Sequence, residues 1–445
     1  MTHEAPRTPP QPVQPQLVRA IGRWSMVALV VNSIVGSGIF GLPAVLAGLL
    51  HEVSPLAVLI AGAGMGVIIA CYAELASQFT ETGGTYLYLR HTFGRLVGLQ
   101  VGWMTLLTRL TACAANVNLL IAYLGEFWPQ LTHGTARGVV ITLFIGTLAA
   151  VNYRGVGGGT ALSNTAVTAK LLALGALCAA GLAWIAVHPP LAVPRISSTE
   201  HDWLGAMVLL LFAYGGYETA LNPMGEARDP RRDAPFALFT ALAIVTALYS
   251  TVQLIVVAVL PDPAHSERPL ADVARVLMGP KGAAFIAVAA LVSVYGFISA
   301  NLLGVPRSLF ALAQRSDFPR AFGAVHPRWR TPHVSIGVFA LLVWVFSQFA
   351  GFTWNVTLSA VARILYYAAI CAAVPVLRRR QPGAAAWRMP GGPLLPLAGV
   401  AICAVLLTRV DFSRSAVLLA TIAVALANWV AVRARQAPAL EAPKG

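Results

Sequence analysis

Three ionisable residues stand inside long apolar runs: Arg109 in "LLTRLTACAANVNLL", Lys170 in "TAVTAKLLALG" and Glu218 in "FAYGGYETALNPMGE". On insertion scales a charged group at a helix centre in hydrocarbon costs roughly 2.5–3.5 kcal/mol, so such residues mark ion, proton or substrate pathways, or pair with one another. Arg109 is the candidate partner of Glu218, a structural role; alternatively it receives an anionic side chain. Arg363, in "VARILYY", is placed nearer a membrane edge, where a long side chain reaches water cheaply, and is given no role. Lys170 lies eleven residues after Gly159, about 16–17 Å along a helix and therefore close to mid-bilayer.

Two apolar stretches are built to break. "IVGSGIFGLP" (34–43) places three glycines and a proline in ten residues, although glycine costs up to about 1 kcal/mol relative to alanine in a helix. "FAYGGYETALNPMGE" (212–226) sets Gly215 and Gly216 together in mid-segment, with Pro223 near its end. Where the first helix unwinds at Gly36, Ser37 and Gly38, the half-helix that follows offers free N–H groups and a partial positive charge, which suit a carboxylate. Where the second unwinds, free carbonyls end the preceding half-helix and suit an ammonium. Together the ends fit a zwitterion. The competing reading is that the glycines only let helices approach closely.

The elements that must position these groups are read from composition. The chain has 445 residues, 57% hydrophobic and 11% charged, against about 25% charge in an ordinary soluble domain. Twelve apolar segments long enough to cross a bilayer are expected, near 24–49, 55–78, 97–127, 137–152, 160–187, 203–225, 234–260, 281–310, 334–351, 355–377, 393–408 and 415–432. The breaks then fall in spans 1 and 6, corresponding positions of two five-helix halves, which points to an inverted-repeat transporter with a midplane site.

The net charge of +14 is not a nucleic-acid signal, because with a cytoplasmic N-terminus 20 basic residues lie inside and 7 outside. Both termini are expected in the cytoplasm. The proline-rich residues 1–19 read as a disordered tail, 20–392 as a ten-helix core with repeats near 20–187 and 203–378, 393–433 as two peripheral helices, and 434–445 as a second tail. Residues 83–98 suit an amphipathic helix on the cytoplasmic surface, and 268–279 a similar element outside. Five cysteines show no metal spacing, and no cofactor is expected.

Several motifs carry a resemblance: "NSIVGSGIF", "FAYGGYE" followed by "EARDPRRDAP", "YAELASQFTETGGTYLYLRHTFG", and "PRSLFALAQRSDFPRAFGAVHPRWRTPHVSI". In this order they resemble the amino acid–polyamine–organocation superfamily over about residues 20–392. The resemblance implies an all-α membrane protein of the LeuT type, ten core helices plus two peripheral ones, moving amino acids by alternating access. It implies that backbone N–H groups at Ser37 and Gly38, with Ile39 beside them, hold the substrate carboxylate. Carbonyls around Phe212, Ala213 and Gly215 would then receive its amino group. By the same resemblance Phe212 is an aromatic gate, Glu218 a proton-sensitive gate, and Lys170 stands where sodium-coupled relatives bind sodium. Asn301 lies where the substrate side chain would project, or else pairs helices.

The function expected is a sodium-independent symporter or exchanger for neutral amino acids in the inner membrane, a location suggested by 28 arginines and few lysines. Protons and the bilayer are the other partners, with no nucleic acid or required subunit. Acidic amino acids, kept open by Arg109, and amines or polyamines are the alternatives. A membrane-embedded enzyme would need converging catalytic groups, and Glu74, Glu81, Glu126, Glu218 and Glu226 form no such cluster. A channel would need a filter repeat or charge ring, which the sequence lacks.

Overall fold

The computed structural model describes residues 21–79, 83–155, 159–188, 201–222 and 226–440. The expected tail over 1–19, Glu81, Pro223 and the last five residues lie outside this set. The described chain is helical throughout its named elements. A half-helix α1 (Arg23–Ile34) is followed by α2 (Ser37–Leu50), α3 (Ser54–Ala76), the short α4 (Gly84–Phe93) and α5 (Arg95–Leu124). Then come α6 (Gly134–Arg154), α7 (Gly159–Val187), α8 (Trp203–Tyr214), the four-residue α9 (Tyr217–Ala220) and α10 (Pro230–Val259). The chain continues through α11 (Pro269–Gln314), α12 (His333–Phe349), α13 (Phe352–Arg380), α14 (Leu394–Leu407) and α15 (Phe412–Leu440).

Among the described residues, eight helical stretches are long and apolar enough to cross a membrane, so this is a multi-pass membrane protein. Eight is fewer than the twelve expected. α1 and α8 have 12 residues each, α12 and α14 are apolar but only 17 and 14 residues long, and α2 and α3 run together in one stretch of 40 residues. At 46 residues α11 runs the other way: it joins the expected outer element to the following span, with Gly279 at φ 70 and Pro280 marking the kink between them.

Burial separates centre from rim. The apolar stretch of α5 is 89% buried, whereas those of α6 and α15 are 17% buried, so α5 is a central post and the other two face outward. α4 does not lie free on a surface: Tyr88 and Leu89 are buried as it packs on α5 and α13. It is held by Arg90, which is 2.8 Å from Asp317, and by Tyr86, whose hydroxyl donates to the same carboxylate. Burial first, and Asp317 second, push the Tyr86 phenol up to about 12. Nearby Arg378 clamps Glu74 with two bonds of 2.7 and 2.6 Å, a bidentate pairing that fixes α13 to α3.

Candidate functional site

At the first break α1 ends at Ile34, Val35 and Gly36 leave helical geometry (ψ 88 and −142), and α2 starts at Ser37. The unwinding frees carbonyls that hydrocarbon cannot satisfy. Lys170 on α7 reaches them: its Nζ is 2.6 Å from Val35 O and 3.4 Å from Asn32 O. Tyr249 on α10 donates towards Ile34 O at 3.1 Å and Ala213 O at 3.2 Å, so one hydroxyl touches both broken spans.

At the second break α8 ends at Tyr214, Gly215 is extended, and Gly216 sits at φ 113, where L side chains are rarely found. A side chain at Gly216 would also overlap the Ser33 carbonyl, so the two breaks are in contact there. The one-turn α9 aims Glu218 back into the gap. Its Oε2 accepts from Gly216 N at 2.8 Å and from Tyr367 at 3.2 Å; Oε1 accepts from Tyr366 at 3.2 Å and lies 3.3 Å from Arg363 Nε. Arg363 also donates to Phe212 O at 3.3 Å and lies over the Phe212 ring, in the space that Gly215 leaves by having no side chain.

Two expectations change here. Arg363 does not reach out to water: it is 3% exposed, lies within the 29-residue α13, and is the nearer partner of Glu218. Arg109 is the looser partner, 3.9 Å from Oε1, with its Nη2 buried and lacking a hydrogen bond. The Phe212 and Ala213 carbonyls, expected to face a substrate ammonium, are engaged by Arg363 and Tyr249.

A cavity of about 150 Å³ opens at the first break. Arg109, Lys170 and Asn301 lie on its wall; among the described residues Ser37, Gly38, Ile39, Phe212, Ala213, Gly215 and Glu218 do not. Gly38 packs on Ala213, where an added Cβ would come within 3.0 Å of the Ala213 Cα, so close helix approach also calls for a glycine here. Ser37 accepts from Asn116 at 2.9 Å, and Asn301 donates to Phe297 O of its own helix at 2.9 Å. Gly36, read from the sequence as part of the break, is on the wall too, whereas Asn32, Ser33, Thr219, Ser293 and Phe297 were not singled out. Asn32 and Ser33 stand one helical turn before Gly36 in "NSIVGSG", on the last turn of α1, which is the signal that could have included them.

Broken apolar helices around a small polar cavity, inside a bundle that spans a membrane, are features of a class, the membrane transporters. A sequence model described as amino acid permease matches residues 21–430, and the chain belongs to that family. It is 30% identical over 440 residues to an uncharacterized transporter of Mycobacterium tuberculosis, covering 96% of this chain and 95% of that protein. It is also similar to the serine/threonine exchanger SteT of Bacillus subtilis, at 26% identity over 86% of this chain and 89% of the relative. The branched-chain amino acid permease BcaP of the same organism is 25% identical, over 89% of each.

Proposed function

We propose that this protein is a sodium-independent secondary transporter of small amino acids without a positively charged side chain, working by alternating access as an exchanger or proton symporter. The observation that carries the reading is Lys170 Nζ at 2.6 Å from the freed Val35 carbonyl, a tethered cation at the unwound part of span 1. The α-carboxylate would be held at the N-terminal end of α2, whose first N–H groups, from Ser37 to Ile39, begin beside the cavity-lining Gly36. Cavity size supports a small cargo, since an apolar cavity of about 150 Å³ is known to take a ligand of about benzene's size. The wall carries two cations and, among the described residues, no carboxylate, which argues against amines and polyamines. The names of SteT and BcaP support amino acids as cargo.

The same reading has twelve spans, counting α1 with α2 and α8 with α9 as broken spans 1 and 6 of two five-helix repeats, with α14 and α15 peripheral. Both termini are cytoplasmic, on the basic-residue balance of 20 to 7, and the membrane is a bacterial inner membrane, on a composition of 28 arginines with few lysines. The experiment is uptake or counterflow of labelled serine, alanine and aspartate in proteoliposomes, with and without sodium. Saturable accumulation or exchange supports the reading, and its absence for all three refutes it. Orientation is checked by cysteine labelling in intact cells, where reaction at position 231 but not at 263 would reverse it.

A further inference from the structure

The interior of the bundle carries an imbalance of charge. Arg109, Lys170 and Arg363 are all buried, yet Glu218 is the one carboxylate among the described residues that faces them. Its oxygens are already engaged by Arg363, Tyr366, Tyr367 and the Gly216 N–H. Lys170 is satisfied by the Val35 carbonyl. Arg109 is the least engaged of the three cations. Its Nη2 lies 3.9 Å from Glu218 Oε1 without a hydrogen bond, its side chain is 10% exposed, and it lies on the wall of the central cavity. Buried polar groups in folded proteins are nearly always hydrogen-bonded, and a guanidinium nitrogen left without a hydrogen bond is a departure that a bound anion would repair.

We propose that Arg109 receives a second, distal carboxylate of the cargo, so that the cavity selects acidic amino acids over their uncharged amides. The proposal rests on the permease reading above and narrows its substrate class. Gly36, beside the α2 N-terminus, and Arg109 line the same cavity, so a ligand with its α-carboxylate at the first can present a second anionic group to the guanidinium. Asn301 and Ser293, on α11, add neutral polar groups to the same wall. Two cations on the wall also disfavour lysine or arginine as cargo.

The test is uptake of L-aspartate, L-asparagine and L-serine by the full-length protein in proteoliposomes. Asparagine has nearly the shape of aspartate and lacks only the charge, so the ratio of their KM values reads the interaction. Aspartate should have the lower KM by roughly tenfold or more, the scale of a charge-assisted bond over a neutral one. In Arg109→Gln that ratio should collapse towards one. Should that variant fail to fold, competition in the wild type decides alone: aspartate should displace labelled serine at roughly tenfold lower concentration than asparagine does. Equal potency of acid and amide in the wild type, or an unchanged ratio in Arg109→Gln, overturns the proposal. Serine uptake with no response to aspartate overturns it while leaving the permease reading intact, whereas no uptake of any of the three removes both.

Discussion

The two helix breaks are made by the same device, glycine in an apolar helix, and end in opposite states. At the second, the carboxylate is paired inside the protein: Glu218 takes the Gly216 N–H and faces Arg363, Arg363 takes the Phe212 carbonyl, and the rings of Tyr72, Tyr217 and Tyr367 stack and cross around them. At the first, a lone ammonium caps the carbonyls of α1, while the N-terminal end of α2 begins beside the cavity. One break is a closed joint; the other is a socket. A buried charge cluster that satisfies itself fixes geometry, whereas uncompensated positive charge beside a cavity is available to cargo.

The largest effect should come from opening the joint. Glu218→Gln leaves two guanidinium groups without a counter-charge, and breaking a buried pair from one side costs about 3–5 kcal/mol. Thermal unfolding in detergent should show a large fall in Tm. Adding Arg363→Met should recover part of it, because removing both partners is far cheaper than removing one; a double variant no more stable than the single would deny that the joint is an ion pair.

Emptying the socket should do less to stability and more to transport. Lys170→Ala leaves the Val35 carbonyl unpaired, worth about 1–3 kcal/mol, and uptake should fall by more than an order of magnitude while the protein still inserts and purifies. Uptake at the wild-type rate would mean the ammonium has no part in the cycle.

Contact between the two breaks gives the next prediction. Gly216→Ala puts a side chain on a φ of 113 and into the Ser33 carbonyl, so it should cost about 1–3 kcal/mol and slow uptake. Gly146→Ala, at a position with open space around it, is the control in the same melting assay. Smallest is Tyr249→Phe, which removes the hydroxyl shared by Ile34 O and Ala213 O and should cost about 0.5–1.5 kcal/mol. If its effect adds fully to that of Lys170→Ala, the two breaks are independent; a shortfall measures their coupling.

The breaks themselves are legible in the sequence because glycine pairs and a proline inside an apolar run have few other uses. What faces them is less so. Arg363 reads as peripheral because the depth of a residue depends on where its helix ends, and α13 extends to Phe352 and Arg380, beyond the apolar run that marks it. Its pairing with Glu218 spans 145 positions of chain, which no local pattern carries. Gly38 reads as a ligand-binding residue in the motif and also packs on Ala213, a second demand on the same glycine that only the neighbour reveals. Helix lengths mislead for a related reason: continuous hydrogen bonding across Gly279 hides a kink that the composition of 268–279 does suggest.

The central claim is that a tethered ammonium at the socket stands in for a coupling cation. Initial uptake of labelled amino acid by the wild type and Lys170→Ala, in liposomes with sodium replaced throughout by choline, tests it most directly. The account predicts a wild-type rate unchanged by the replacement and a variant that is inactive in either medium. A wild-type rate that collapses without sodium would contradict it.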